Sequence, residues 1–163
     1  MSAATLPSPF KPRRHRHQQC VDDALSAAEQ LCTERGRKLT PLRRRVLELI
    51  WWRHEPARAY DILERLFSLG RRAAPITIYR ALGFLMDQGL VHRLASLNAY
   101  VGCGSSGAPH NAQFLICKAC GTAAELNDAR IDRAITRGAA RTGFTVGGSV
   151  VEIRGLCPDC SGN

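Results

Sequence analysis

The chain has 163 residues, of which 45% are hydrophobic and 23% charged, and its formal net charge at pH 7 is +9. This length has room for one ordinary domain or two small ones. No apolar run approaches the roughly 18 residues that span a bilayer, and the polar, basic N-terminus has no apolar stretch of signal-peptide length. We therefore expect a cytoplasmic globular protein.

The positive charge is concentrated in the first part of the chain. Residues 1–96 hold 17 Lys and Arg against 9 Asp and Glu, whereas residues 97–163 hold 6 against 5. A general need for solubility would not by itself concentrate charge in this way. The distribution favours a half that binds nucleic acid, joined to a half with another task.

Residues 1–18 contain three prolines and a run of basic side chains with few apolar residues, so we predict a disordered basic arm. Such an arm either adds phosphate contacts or remains a solvated tail.

Residues 19–96 are predicted to form a winged-helix DNA-binding domain. Apolar residues at a helical period, together with Thr40-Pro41 as a helix start and Gly89 as a helix stop, predict four helices. They cover about 21–35, a stretch from 40 that includes Ile50, 59–69 and 76–88. Two short strands, 90–94 and 98–101, follow with a turn around Ser96. Helices followed by a β-hairpin are typical of a winged helix-turn-helix, whose last helix enters the major groove.

Residues 97–163 are predicted to form a small α+β domain. Strands are expected at 114–116 and 123–126, a helix at about 128–142, and a β-rich segment at 144–154. The pair Gly147-Gly148 predicts a bulge or tight bend within that last segment. A unit this small needs a bound metal or a partner chain to be stable.

Seven cysteines in a chain without an export signal favour metal binding over a disulfide framework. Two C-x-x-C pairs, Cys117/Cys120 and Cys157/Cys160, have the spacing that chelates tetrahedral Zn²⁺, and together they predict a structural Cys₄ zinc site. A redox dithiol and a disulfide pair are the alternatives.

A second, looser set consists of His92, Cys103, His110 and Glu125. Two imidazoles, a thiolate and a carboxylate suit tetrahedral Zn²⁺ and would join the two domains, but the spacing alone is not specific. Taken singly, such a histidine is more often a satisfied polar residue and such a glutamate is more often solvated. No nucleophile–base pair or phosphate loop stands out, so we expect no enzyme.

The chain resembles the ferric uptake regulator family, and within it the zinc uptake regulator branch, over about residues 20–160. Several motifs carry the resemblance in the family's order. They are Leu39-Thr40-Pro41-x-Arg43, Ala59-Tyr60-Asp61, Ile78-Tyr79-Arg80-Ala81-Leu82, Gly89-Leu90-Val91-His92, Asn98-x-Tyr100, Phe114-x-Ile116-Cys117-x-x-Cys120-Gly121 and Gly155-Leu156-Cys157-x-x-Cys160.

The resemblance implies a homodimer joined through the second domain, with two zinc ions per subunit. It implies that His92, Cys103, His110 and Glu125 form the regulatory zinc site and that the zinc-loaded dimer represses zinc-uptake genes from a pseudo-palindromic operator. For the DNA contacts we expect four residues on the exposed helix faces, Tyr60, Thr77, Tyr79 and Arg80. Arg43, Arg44 and Arg45 are either phosphate contacts or solvated charges.

One departure from the family pattern concerns the stretch His110-Asn111-Ala112-Gln113, which has a single histidine where many iron-sensing relatives carry a histidine-rich run. This makes an iron or peroxide sensor less favoured. Such a sensor stays open as an alternative, as does a zinc-stabilised nucleic-acid-binding adaptor that senses no metal.

Overall fold

The computed structural model describes residues 9–10, 16–53, 55–106 and 110–162, so most of the predicted basic arm lies outside the described residues. The helices are α1 His17–Glu34, α2 Pro41–Trp51, α3 Ala59–Ser68, α4 Pro75–Asp87, α5 Ala129–Ala140 and the short α6 Pro158–Ser161. The strands are β1 Val91–Leu94, β2 Ala99–Gly102, β3 Ala112–Cys117, β4 Ala123–Leu126 and β5 Val150–Gly155. None of these helices is both long and apolar enough to cross a bilayer. The predicted α+β architecture, a winged helix followed by a smaller α+β unit, is confirmed.

Local backbone chemistry sets the helix ends. The hydroxyl of Thr40 accepts the backbone N–H of Arg43 at 3.4 Å, and proline occupies the first position of α2, as predicted. Beyond α4, Gly89 has a φ of 69°, a conformation that favours glycine at a helix end. Helix α1 begins at His17, earlier than predicted, because its first turn is polar and gives no apolar signal.

Helices α1 to α4 pack around one apolar core, together with part of the hairpin that follows. We call this part the winged-helix unit. Each helix contributes fully buried side chains, which include Val21, Leu47, Ile62, Leu66, Ile78 and Leu82. Because α4 buries only one face in this core, its opposite face is presented to solvent.

The hairpin pairs β1 with β2 in antiparallel register, so that His92 lies opposite Val101 and Leu94 opposite Ala99. A single 3-10 turn, Ala95–Leu97, joins the strands, and we call it the wing turn. Because β2 extends to Gly102, the hairpin runs past the boundary that the sequence predicted after residue 96.

The second unit is a three-stranded sheet in the order β4-β3-β5 with α5 and α6. Strand β4 is antiparallel to β3, and β5 is parallel to it, which requires the crossover that α5 provides. The segment 144–154 was predicted to be β-rich with a bulge or tight bend at Gly147-Gly148. The bend is present, but only the second half of the segment is a strand. Residues 144–149 form no strand and bend at Gly147, because pairing with β3 begins only at Val150.

The hairpin of β1 and β2, which we call the wing, lies on this second sheet. Leu94 of β1 is fully buried in a cluster with three residues of β3, Ala112, Phe114 and Ile116, and residues of the wing turn and β2 pack against its edge. The contact between the wing and the sheet brings residues from both units to one place.

Candidate metal centres and nucleic-acid interface

The two C-x-x-C pairs meet at one end of the second sheet. The four sulfur atoms lie within 4.8 Å of one another, and the Sγ atoms of Cys120 and Cys157 are 3.7 Å apart. A disulfide bond is about 2.05 Å long, whereas bonds of about 2.3 Å to a tetrahedral zinc ion put sulfurs about 3.8 Å apart. The four cysteines are free thiols. Their spacing fits a Cys₄ zinc site and does not fit a disulfide.

The surroundings of these thiols favour partial ionisation. Backbone N–H groups of Cys120 and Cys157 lower the pKa of Cys117 to about 6, and the N–H of Cys157 lies 3.4 Å from its sulfur. The pKa of Cys160 is raised, because its thiol hydrogen-bonds to the sulfurs of Cys157 and Cys120. Four thiolates this close repel one another, so the set needs a cation to be fully ionised.

The second set also converges. His92 lies on β1, Cys103 directly after β2, His110 before β3 and Glu125 on β4, and their ligand atoms lie within 4.8 Å of one another. Nε2 of His110 is 2.7 Å from Oε1 of Glu125 and 3.7 Å from the sulfur of Cys103. Two of these side chains come from the hairpin and its end, and two come from the second unit.

Neighbouring groups hold the members of this set in place. The other oxygen of Glu125 accepts the backbone N–H of Gly104 at 3.0 Å. The N–H of Cys103 donates to the carbonyl of Leu90 at 3.0 Å. The His92 ring packs edge-on against Phe114, with ring centroids 5.4 Å apart. Contacts with protein groups in both units therefore position these side chains without a bound ion.

The electrostatics of this set fit a divalent cation. Burial lowers the pKa of His92 more than the nearby Glu125 raises it, which favours the neutral imidazole that binds metals. Its Nε2 atom is buried and has no hydrogen-bond partner among the described residues. Burial and the charge of Glu125 raise the pKa of Cys103 to about 11. An orphaned imidazole nitrogen beside a thiol that needs a cation to ionise fits the donor set of a zinc site.

We call His92, Cys103, His110 and Glu125 the mixed set. One neighbour of this set was not predicted from the sequence. A Cβ atom built on Gly102 would lie 2.2 Å from Cε2 of Trp51, so the indole of α2 lies directly against the backbone that precedes Cys103. The only sequence signal was a glycine in a strand, which often marks a close approach of another group.

The four residues expected to contact DNA lie on the two helices predicted to face it. Tyr60 is 65% exposed on α3, and Tyr79 is 45% exposed on α4, and both line one shallow depression of the surface. On α4, Arg80 is exposed and Thr77 is half-buried. The structure thus leaves the two tyrosines and Arg80 accessible to a large partner.

The three arginines at the start of α2 have partners within the chain. The guanidinium of Arg43 stacks 3.6 Å from the centroid of the Phe84 ring. Nε of Arg44 lies 2.7 Å from a carboxylate oxygen of Glu29. Arg45 is similarly paired with Glu48, at 2.6 Å. The sequence analysis predicted none of these contacts, although Arg45 and Glu48 have the i,i+3 spacing of a helical ion pair.

A winged helix joined to a cysteine-bearing α+β unit, with a donor set between them, defines a metal-binding protein on a DNA-binding scaffold. The model of the Ferric uptake regulator family matches residues 34–154. The chain belongs to the ferric uptake regulator family.

Among known proteins, the chain is 37% identical over 141 residues to the zinc uptake regulation protein of Escherichia coli K12, covering 86% of this chain and 82% of that protein. A solved zinc uptake regulator complexed with zinc and DNA is 35% identical and superposes with a TM-score of 0.81. That superposition covers 91% of this chain and 97% of the other.

A third relative, XcZur, is similar to this chain in two different forms. Its holo structure superposes with a TM-score of 0.80, covering 87% of this chain and 99% of that chain. Its apo structure reaches only 0.51 over 86% and 97% of the two chains. The identity is 39% in both cases, so the two forms differ in arrangement and not in sequence. The present structure therefore superposes better on the holo form than on the apo form.

Proposed function

We propose that this chain is a zinc-responsive transcriptional regulator, whose zinc-loaded homodimer binds a pseudo-palindromic operator and represses zinc-uptake genes. The observation that carries the proposal is the His92/Cys103/His110/Glu125 set, whose members come from both units. The likeness to a zinc uptake regulation protein and to a regulator complexed with zinc and DNA supports it. The role is that of a regulator and not of an enzyme.

The two donor sets have different roles in this proposal, with two zinc ions bound per subunit. Cys117, Cys120, Cys157 and Cys160 all belong to the second unit, so they form a structural site that stabilises it. The mixed set forms the regulatory site, because its ligands come together only while the wing lies on the sheet.

The homodimer forms through the second unit. Strand β5 is an edge of the sheet, and its side chains Val150 and Ile153 are 51% and 40% exposed. Helix α5 has no buried residue, although Ile131 and Ile135 form an apolar stripe on it. A second copy related by a two-fold axis covers these surfaces, and it places two α4 helices to read two half-sites.

The contacts with DNA come from α3 and α4. Arg80 donates to a guanine edge, and Tyr60 and Tyr79 contact thymine methyl groups, sugars or phosphates, with Thr77 beside them. Tyr60 and Tyr79 are exposed together, which supports a shared contact surface.

The regulatory site links metal binding to DNA binding by a simple equilibrium. His92 lies in the wing and Cys103 directly follows it, whereas His110 and Glu125 belong to the second unit. Zinc supplies the positive charge that keeps the Cys103 thiolate ionised when bound. The four side chains bind zinc together only in the docked arrangement, in which the wing lies on the second sheet. Zinc binding therefore favours that arrangement. If zinc favours the docked arrangement by about 1–3 kcal/mol, DNA affinity increases by roughly 5- to 150-fold.

Zinc content and operator binding of the parent and of Cys103→Ser test the proposal. We expect the parent to hold two zinc ions per chain, to fall to one after mild chelation, and to lose specific DNA binding at that step. Cys103→Ser should hold one zinc ion and bind the operator weakly with or without added zinc. Cys20→Ser, which changes a cysteine of α1 outside both sets, is the matched control and should behave as the parent does.

Operator binding by Cys103→Ser that remains as zinc-dependent as in the parent would contradict the assignment of the regulatory site. A parent that binds DNA equally well with and without zinc would contradict the sensing role itself. Support of operator binding by Fe²⁺ in preference to Zn²⁺ would identify an iron sensor instead.

A further inference from the structure

A carboxylate on β5 binds the wing turn. One oxygen of Glu152 accepts the backbone N–H of Ala95 at 2.7 Å, and the other accepts the N–H of Ser96 at 3.2 Å. N–H groups in the first turn of a helical segment have no partner within it, and bonds from them to an ionised carboxylate are charge-assisted. Glu152 thus satisfies two consecutive donors of a segment that is more than fifty residues away in sequence.

The strand register connects this contact to the mixed donor set. Phe114 of β3 lies opposite Glu125 on β4 and opposite Glu152 on β5. Residues directly opposite one another in a sheet project from the same face. The His92 ring packs on Phe114 in the middle of this row. The wing therefore contacts one row of the sheet at both ends, at Glu125 beside the donor set and at Glu152 beneath the wing turn.

The two ends of the row differ in chemistry. At the Glu125 end the contact depends on imidazole and thiol groups that suit a cation. At the Glu152 end it consists of hydrogen bonds from the backbone, and Leu94, fully buried, packs just before the turn. Nη2 of Arg154 reaches the carbonyl of Ser96 only at 3.5 Å. No proposed metal ligand takes part at this end.

We propose that Glu152 is a positioning residue, which fixes the wing turn to the second sheet independently of metal and so keeps His92 and Cys103 within reach of His110 and Glu125. This inference rests on the proposed regulatory role of the mixed set. Without the carboxylate, the docked arrangement is less populated before metal binds. The apparent affinity of the mixed set falls by the same fraction, since a ligand that needs a minor state binds in proportion to its population.

The test compares Glu152→Ala with Glu152→Gln. Both variants lose the same negative charge, but only glutamine keeps an acceptor oxygen for one of the two N–H groups. We expect zinc affinity at the mixed set to weaken roughly tenfold in the alanine variant and less in the glutamine variant, with the Cys₄ set still filled. DNA affinity at limiting zinc should follow the same order. Glu34→Ala, which removes an equal charge on α1 where the carboxylate contacts Gln30, is the matched control and should keep the zinc affinity of the parent.

A second readout needs no regulatory metal. After mild chelation, hydrogen exchange at the N–H groups of Ala95 and Ser96 should be faster in Glu152→Ala than in the parent. Zinc affinity equal to that of the parent would overturn the proposal, even if exchange at the turn were faster. Equal tightening of DNA binding in both variants would also overturn it, because the lost charge alone would explain that result.

The failure of the proposed function would be distinguishable. A parent whose DNA binding ignores zinc refutes the sensing role, whereas zinc affinity at the mixed set and exchange at the wing turn still test the contact of Glu152. Faster exchange in the alanine variant supports the contact as the group that holds the turn, and unchanged exchange overturns it.

Discussion

At the scale of single residues, the contact between Trp51 and Gly102 connects a helix of the winged-helix unit to a candidate ligand. The indole lies against the backbone of Gly102, and the next residue is Cys103. Helix α2, which carries Trp51, packs in the same core as α4. Trp51 thus lies between the segment that carries Cys103 and the core that holds α4, the helix proposed to face DNA.

Gly102→Ala should disturb this connection. The new Cβ atom would lie 2.2 Å from the Trp51 ring, so either the indole or the strand must move. Overpacking of this kind costs about 1–3 kcal/mol. We expect a lower melting temperature and weaker zinc binding at the mixed set, with the Cys₄ set unaffected, measured by calorimetry and zinc titration.

Gly83→Ala provides the control, because nothing lies within 4 Å of a Cβ built on that glycine. It should match or slightly exceed the stability of the parent, since alanine is favoured over glycine inside a helix. A Gly102→Ala variant that melted and bound zinc as the parent does would show that the indole can move freely.

At the scale of elements, β5 has two roles on its two sides. Glu152 points toward the wing turn, whereas the outer edge of the strand lacks a partner within the described sheet. The strand therefore lies between the wing and the surface that the proposed dimer covers. Changes on one side of β5 should be separable from changes on the other.

Ile153→Asp tests the surface assigned to the dimer. Ile153 follows Glu152 in β5, so its side chain projects from the opposite face of the sheet. This residue is 40% exposed on β5, and a buried unpaired carboxylate would be costly in an interface. We expect the homodimer to dissociate to monomers at micromolar concentration, measured by sedimentation velocity. Leu69→Asp, at an exposed position after α3, should remain dimeric. A dimeric Ile153→Asp variant at the same concentration would place the interface elsewhere.

The elements that the sequence predicted well are those governed by local chemistry. Thr40 and Pro41 act on the backbone next to them, as Gly89 does. The start of α2 and the end of α4 could therefore be predicted from the sequence. Strands depend on a partner, and for this reason the start of β5 at Val150 was not predicted. The contact between Glu152 and the wing turn joins residues with no local relation and left no sequence signal.

The candidate sites divide in the same way. Each C-x-x-C pair is a local chelate, so Cys117 and Cys157 were recognisable from spacing. The mixed set comes from four separate segments of the chain. Its residue types suggested a zinc site, but its spacing was not specific, and the family resemblance was needed to favour it. The structure brings its ligand atoms together, whereas their use as metal ligands remains the proposal tested above.

At the scale of the whole molecule, the two units should depend differently on metal. The core shared by α1 to α4 contains none of the proposed ligands. The second unit buries few large side chains, and its strand β3 ends at Cys117. Small domains of this kind commonly depend on a metal site for their stability.

Removal of metal should therefore proceed in two stages. Mild chelation should empty the mixed set and leave both units folded. A strong chelator under reducing conditions should then unfold the second unit while α1 to α4 keep their protection, followed by segment-resolved hydrogen exchange. Simultaneous loss of protection in both units would show that the winged-helix core is not independently stable.

The position of Trp51 also has a spectroscopic consequence. The chain has two tryptophans, and they are neighbours in sequence. Trp52 is 45% exposed, whereas Trp51 is half-buried against the segment that carries Cys103. With Trp52 replaced by phenylalanine, the remaining indole is a single fluorophore beside the donor set. The protein thus carries an intrinsic optical reporter, whose emission can follow the filling of that set without a dye or a label.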